Sequence, residues 1–95
     1  MTVLNVAFAE VRDAQRMREY AEAAAPIMKE YGAEVIVRGR YLKTFLGDQK
    51  PSHVTGIFRF PDMETAEEFY GCPAYLELVP LRELAGTMVF NFYEE

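Results

Sequence analysis

The stretch that decides the fold is residues 3–32, VLNVAFAEVRDAQRMREYAEAAAPIMKEYG. Its first part, Val3–Val11, is a run of β-branched and apolar residues broken by Asn5 and Glu10. That is the length and character of a strand with both faces largely buried. From Asp13 onwards the apolar residues instead recur every three or four positions, which predicts an amphipathic helix. A strand followed directly by a helix therefore opens the chain.

The predicted helix has recognisable ends. Asp13 can cap the first turn, because a carboxylate there accepts hydrogen bonds from free backbone amides. Gly32 supplies the left-handed residue that commonly ends a helix. Pro26 removes one backbone donor inside the pattern, so we expect a kink near Glu22. The apolar face of this helix consists of Met17, Tyr20, Ala21, Ala24, Ile27, Met28 and Tyr31.

Strand signals follow the helix. Two strand-like stretches, Glu34–Val37 and Tyr41–Phe45, flank Gly39, and a glycine within a strand commonly marks a bulge or bend. The polar segment Gly47–Ser52 then predicts a turn. A third strand, His53–Phe60, follows it and is expected to form a hairpin with the second.

Helical spacing returns in the last third of the chain. Asp62 is the expected cap of a short helix, which Gly71–Pro73 interrupts. A further helical stretch covers Ala74–Leu84 and ends before Gly86, and Thr87–Tyr93 then alternates as a fourth strand. The chain thus reads strand, helix, strand, strand, helix, strand.

This order predicts a single α+β domain over residues 1–95. The arrangement is a ferredoxin-like βαββαβ antiparallel sheet with its helices on one face. Right-handed connections leave the first and third strands in the middle of the sheet.

Two helices cover only one face of such a sheet, so the other face needs a partner. We expect the bulkier of the two residue sets to meet the helices, namely Leu4, Val6, Phe8, Met88, Phe90 and Phe92. The second set remains too apolar for water; it consists of Val3, Asn5, Ala7, Ala9, Val89, Asn91 and Tyr93. We therefore predict a homodimer through this sheet face, which forms a dimeric α/β barrel.

Composition excludes several classes of protein. The hydrophobic content of 51% excludes disorder, and the formal net charge is −5 with the basic residues scattered. Nucleic acid and anionic membranes are therefore not expected partners, since both require clustered cations. No apolar run reaches the roughly 20 residues that span a bilayer. The first ten residues lack a secretory pattern and Cys72 is the only cysteine, so we expect a cytoplasmic protein.

Several segments together resemble the domain-of-unknown-function 1330 family. The resemblance covers nearly the whole chain in order and rests on Ala23–Ile27, Tyr31–Ala33, Val37–Gly39, Phe60–Ala66, Phe69, Tyr70, Pro73–Tyr75 and Pro80–Arg82. Two positions depart from the family pattern: Arg40 replaces a usual glycine and Arg59 replaces a common acidic residue. The resemblance implies the dimeric α/β-barrel fold. Relatives in that superfamily include cofactor-independent monooxygenases, haem-degrading enzymes, lactone isomerases and stress-responsive proteins.

Five side chains are candidates for a ligand site. Arg38 can bind a carboxylate or enolate bidentately, or it can pair with a surface glutamate. Arg59 can place a charge in the barrel or form a salt bridge between subunits. Tyr20 and Tyr70, with Tyr75, can line a pocket or simply contribute to the core.

Catalytic and metal candidates are few. His53 is the only histidine, so it is the one candidate general base, although a turn residue facing solvent is the simpler interpretation. No multi-histidine or paired-cysteine metal site exists in the sequence, and no cofactor is expected. Cys72 is either an activated thiol or a small residue at a helix junction.

Two functions remain open at this point. The first is a small dimeric barrel that binds or converts a small apolar or anionic metabolite, in the manner of a cofactor-independent monooxygenase or an isomerase. The second is a dimeric binding or regulatory module without chemistry. Fold alone does not choose between them.

Overall fold

The computed structural model describes residues 1–95 and contains one four-stranded antiparallel sheet and four helices. Along the chain these are β1 (Val3–Val11), α1 (Ala14–Glu30), β2 (Glu34–Arg40), β3 (Val54–Phe60), α2 (Met63–Gly71), α3 (Pro73–Leu76), α4 (Val79–Ala85) and β4 (Gly86–Glu94). The strand order is β2-β3-β1-β4, so the first and third strands are central. The predicted α+β ferredoxin-like arrangement is confirmed.

The ends of the helices follow the predicted capping. Asp13 accepts a hydrogen bond from the Arg16 amide at 3.1 Å, and Asp62 accepts one from the Thr65 amide at 2.7 Å. Gly32 has φ of +74°, the left-handed conformation that ends α1. These local signals fix where the chain leaves the sheet and returns to it.

The second strand differs from its prediction in two ways. Tyr41–Phe45 is irregular rather than extended, because its side chains bond within the loop: the Tyr41 hydroxyl contacts Thr44 at 2.8 Å and Gln49 at 3.1 Å. The irregularity in pairing lies between Val35 and Val37, whereas Gly39 pairs regularly with Thr55. The bulge was predicted at Gly39 and lies about three residues earlier in the strand.

The last helical stretch is also divided. Ala74–Leu84 was expected to be one helix, but the structure has α3 and α4 with a break at Glu77–Leu78. Pro80 explains the break, because proline fits the first turn of a helix and not its interior. Gly86 then begins β4 where a Cβ atom would lie 2.4 Å from the Glu10 carbonyl oxygen. Only glycine permits this close approach of β4 to β1.

The predicted assignment of the sheet faces is wrong. β1 and β4 pair with Ala7 opposite Phe90 and Phe8 opposite Val89, so odd positions of β1 share a face with even positions of β4. A register offset of one residue exchanges the two faces, and side-chain parity alone does not reveal it. Asn5 and Asn91 consequently lie on opposite faces. The face toward the helices carries Val3, Asn5, Ala7, Ala9, Met88, Phe90 and Phe92, and we call the other one the reverse face.

The hydrophobic core occupies one end of the layer between sheet and helices. Phe60, Ala66 and Phe69 are completely buried, and Tyr75 is 1% exposed. They pack with Val3 at the start of β1, and the Phe60 and Phe69 rings lie 5.8 Å apart. This end, which we call the closed end, is filled by aromatic side chains.

Candidate functional site

The other end of the same layer is open. A cleft of about 740 Å³ lies between α1 and the sheet, beside β2. Small residues face each other across the cleft, because the sheet contributes Gly56 and two alanines and α1 contributes three alanines: Ala7, Ala9, Ala21, Ala24 and Ala25. Side chains of this size cannot meet across a helix–sheet layer, so space remains where the closed end has rings.

The polar groups that line the cleft are either hydroxyls or cations. They are the hydroxyls of Tyr20, Tyr70 and Thr55 and the cations of Lys29 and Arg38; no carboxylate or carboxamide lines it. The Thr55 hydroxyl is already used, since it donates to the Ala7 carbonyl at 2.7 Å. The chain has 15 acidic residues against 10 basic ones. The cleft is therefore electropositive within an acidic protein.

Arg38 stands at the mouth of this cleft on the edge strand β2. Its guanidinium carbon lies 6.0 Å from the centre of the Phe58 ring. The guanidinium group forms no ion pair with a carboxylate. The alternative interpretation, a pair with a surface glutamate, is thus not what the structure has. A guanidinium without a partner at an apolar opening is available to an anion.

Tyr20 belongs to a partly buried chain of hydrogen bonds. Its hydroxyl oxygen lies 2.7 Å from that of Tyr75, and the Tyr75 oxygen accepts from Arg82 Nη1 at 2.9 Å. The Arg82 guanidinium also stacks near the Tyr75 ring, 5.8 Å from its centre. A positive charge on α4 is thus linked to the cleft through two phenols.

Tyr70 is held by a different partner. Asn5 Nδ2 donates to the Tyr70 hydroxyl at 2.5 Å, and the Asn5 side chain is completely buried on the central strand. The other amide atom, Asn5 Oδ1, has no hydrogen-bond partner within the protein. This contact holds the Tyr70 hydroxyl against the central strand β1.

Both cleft tyrosines are neutral donors at ordinary pH. Burial, reinforced by the nearby Tyr75, raises the pKa of Tyr20 far above its usual value, although the Arg82 charge acts in the opposite direction. Burial raises the pKa of Tyr70 in the same way, also with a contribution from Tyr75. Neither phenol can act as a base near neutrality.

Two candidates from the sequence lie outside the cleft. The His53 ring is stacked between Phe8 and Tyr41, with ring centres 4.0 Å and 4.6 Å away, and Phe8 belongs to the reverse face. Arg59 also faces that side and pairs with Glu95 at 2.6 Å and Glu34 at 3.3 Å. The structure therefore brings Tyr20, Tyr70 and Arg38 together and separates them from His53 and Arg59.

Sequence reasoning gave no role to Arg82, the residue that anchors the tyrosine chain. Helical spacing could not have revealed it, because Tyr75 and Arg82 lie on the separate helices α3 and α4, with a break at Glu77–Leu78 between them. Cys72 has a structural contact: its sulfur accepts a hydrogen bond from the Tyr75 amide at 3.4 Å and caps α3. No three side chains of the metal-binding types come together. None of the four helices combines the length and the hydropathy needed to cross a bilayer.

The fold and the cleft define a ferredoxin-like α+β protein with one open side of its sheet–helix layer. The family described as "Domain of unknown function (DUF1330)" matches residues 2–95, and the chain belongs to that family. No curated protein matches the sequence.

Solved structures share this fold over the whole chain. A protein of unknown function from Rhodopseudomonas palustris has a TM-score of 0.88 at 17% identity, covering 99% of this chain and 82% of its own. SnoaB, a cofactor-independent oxygenase from Streptomyces nogalater, has a TM-score of 0.74 at 12% identity, covering 99% and 92%. A dimeric protein of unknown function from Bacteroides fragilis has a TM-score of 0.64 at 12% identity, covering 99% and 96%. At these sequence identities the comparisons show a shared fold, and they do not show a shared activity.

Proposed function

We propose that the cleft binds a small, largely apolar metabolite that carries an anionic group. One observation carries the proposal: the chain is acidic overall, yet no carboxylate lines this cleft, and two cations and two phenols do. Apolar walls with a few convergent polar groups are typical of small-molecule sites. The charge pattern then selects the ligand as an anion.

In this proposal Arg38 holds the anionic group at the mouth. Its guanidinium has no competing carboxylate and lies beside the Phe58 ring, so it can contact the charge while the ring contacts the apolar body. Lys29 adds a second cation at the cleft. Tyr20 and Tyr70 line the interior, where their hydroxyls can donate.

Conversion of the ligand is the second candidate function. It is favoured by the shared fold with SnoaB, which is described as a cofactor-independent oxygenase, and an isomerase-like proton transfer would need a similar cleft. The cleft itself contains no histidine or carboxylate as a general base, and His53 lies on the reverse face. The geometry therefore supports binding better than turnover, and a non-enzymatic binding module remains the alternative to an enzyme.

A pair of matched probes tests the binding site. Naphthalene carboxylate and the neutral naphthalene carboxamide have the same shape and differ in charge. We expect Arg38→Ala to weaken binding of the carboxylate about tenfold or more, as expected for loss of a charged hydrogen bond, and to leave carboxamide binding and the melting temperature unchanged. Arg40→Ala, on the same strand but outside the cleft, is the control. Equal losses for both probes, or a fall in melting temperature, would contradict the proposal.

We also propose that the protein forms a homodimer through the reverse face. Leu4, Val6, Phe8 and Ile57 are half-buried there, while Val89 and Tyr93 are 48% and 55% exposed. The structural neighbour from Bacteroides fragilis is described as dimeric. A second copy would cover this apolar surface with closed two-fold symmetry.

Sedimentation velocity tests the dimer. We expect a dimer for the wild-type chain and a monomer for Val89→Glu, because a buried unpaired charge is costly at an interface. Leu84→Glu is the control, since Leu84 is similarly exposed (52%) but lies on α4. A monomeric wild type would overturn this part of the proposal.

A further inference from the structure

The chain of hydrogen bonds from Arg82 to Tyr20 has a fixed direction. A guanidinium only donates, so the Tyr75 oxygen accepts from Arg82. The Tyr75 side chain is 1% exposed, and its hydroxyl has only Arg82 and Tyr20 as partners. The Tyr75 proton must therefore be donated to the Tyr20 oxygen, because a buried donor without an acceptor is strongly disfavoured.

This direction leaves one proton unused. The Tyr20 oxygen accepts from Tyr75, and the Tyr20 hydroxyl has no other hydrogen-bond partner in the protein. Tyr20 also lines the cleft. Its own proton is consequently available to a molecule in the cleft, and the chain of donors behind it, ending in a positive charge, strengthens that donor through polarisation.

We propose that Tyr20, positioned by Tyr75 and Arg82, is the donor for a phenolate or enolate oxygen at the inner wall of the cleft. The inference rests on the proposed function and narrows it: the ligand class is an acidic phenol or enol with a flat, conjugated body. Arg82 and Tyr75 act as positioning residues, because they reach the ligand only through Tyr20.

The chemistry of the inner wall favours an oxyanion of this kind over a carboxylate. A single phenol offers one hydrogen bond, which matches one charged oxygen on a ring, whereas a carboxylate is matched by the two-pronged guanidinium at the mouth. The adjacent lining consists of the aromatic rings of Phe58, Tyr70 and Phe90. Flat conjugated molecules pack against such rings.

The charged groups around the Tyr20 hydroxyl are all positive, which is the sign that favours a bound oxyanion. Arg82 lies behind it on α4, while Lys29 on α1 and Arg38 on β2 line the same cleft. Glu83 bonds the other guanidinium nitrogen of Arg82 at 3.0 Å and does not line the cleft. No carboxylate competes for the Tyr20 proton.

The experiment compares two probes of nearly equal shape, para-nitrophenolate and its neutral methyl ether, para-nitroanisole. Equilibrium dialysis is performed at a pH at which the nitrophenol is ionised. We expect the wild-type protein to bind the phenolate more tightly than the ether. Tyr20→Phe should lose about tenfold or more in phenolate affinity and keep its affinity for the ether. Tyr93→Phe, which removes a hydroxyl from the reverse face, should change neither.

A second variant tests the positioning role and does not depend on how Tyr20→Phe folds. Arg82→Gln keeps a side-chain donor and removes the charge, so we expect a smaller loss of phenolate affinity with ether affinity unchanged. If neither probe binds the wild-type protein, this inference fails, whereas the proposed function is decided by the naphthalene probes. If both probes bind but Tyr20→Phe and Arg82→Gln leave their affinity ratio unchanged, this inference is overturned and the proposed function stands.

Discussion

The two ends of the sheet–helix layer are built from the same hydrophobic pattern but from side chains of different size. At the closed end, Phe60, Phe69 and Tyr75 fill the space between sheet and helices. At the open end, Ala7 on β1 and Ala24 on α1 leave a cleft of about 740 Å³. The comparison shows that periodicity decides which residues point inward, whereas side-chain volume decides whether they form a core or a site.

The division has a physical consequence for stability. Protein interiors are close-packed, and folding energy is gained where apolar side chains contact one another on all sides. The closed end has such contacts, since the Phe69 ring lies 5.0 Å from the Tyr75 ring and 4.7 Å from the Tyr70 ring. The open end lacks them. We infer that the closed end supplies the stability that allows the other end to remain open.

The largest expected effect is at the closed end. Phe69→Ala removes a completely buried ring, and we expect the free energy of unfolding to fall by about 3–5 kcal/mol. Phe90→Ala is the matched variant at the open end, where the ring borders the cleft and is only half-buried, so its loss should be clearly smaller. Urea denaturation measures both. Equal losses would mean that the two ends do not differ in packing.

The next largest effect comes from substituting leucine for an alanine at each end of the layer. Ala66 is completely buried at the closed end, so Ala66→Leu should overpack the core and lower the free energy of unfolding by about 1–3 kcal/mol. Ala21→Leu points into the cleft and should change stability by less than about 1 kcal/mol. It should instead abolish binding of the naphthalene probes. A stable Ala66→Leu, or an Ala21→Leu that still binds them, would contradict the comparison.

Local signals in the sequence were sufficient for most of the fold. The caps at Asp13 and Asp62 and the left-handed Gly32 are decided by residues within one helical turn, so the structure confirms them. The pairing of β1 with β4 is decided by contacts about 80 residues apart along the chain. Register shifts of one residue exchange the faces, and no local signal fixes them. The prediction failed at that point.

The same reasoning explains what was found of the cleft. Tyr20, Tyr70 and Arg38 were identified because an aromatic hydroxyl or a cation within an apolar pattern is visible in the sequence, and all three line the cleft. Their partners were not visible. Asn5 meets Tyr70 across 65 residues and Tyr75 meets Tyr20 across 55, so these bonds depend on the packed fold. His53 was chosen by residue type alone, and type does not say which face a side chain occupies.

The two arginines of this comparison have opposite environments. Arg38, at the open end, has no ion pair. Arg59 lies on the reverse face opposite Leu4, next to the closed end, and its Nε and Nη2 atoms donate to the two oxygens of Glu95 at 2.7 Å and 2.6 Å. Bidentate pairing of this kind holds a side chain in place. We therefore expect a structural role for Arg59, and Arg38 remains the arginine of the proposed ligand site.

The smallest expected effect follows from this pair. Hydrogen bonds from Arg59, with one from Thr2, lower the pKa of the Glu95 carboxyl from 4.5 to about 2. A carboxyl whose pKa falls on folding stabilises the folded state above its unfolded pKa, and this contribution is lost as the pH falls through the folded pKa. The stabilisation by Glu95 is therefore complete above about pH 4.5 and disappears toward about pH 2.

Thermal unfolding of Glu95→Gln measures this contribution. We expect a slightly lower melting temperature than that of the wild type near neutral pH, small because the Arg59 and Glu95 side chains are 35% and 31% exposed and water screens the pair. The difference should shrink between about pH 4.5 and pH 2, as the wild-type carboxyl becomes protonated. Glu94→Gln, which removes a carboxylate without an ion pair, should show no such trend. A difference that stays constant with pH would mean that the Glu95 charge does not stabilise its pair with Arg59, and it would contradict this account of the pair.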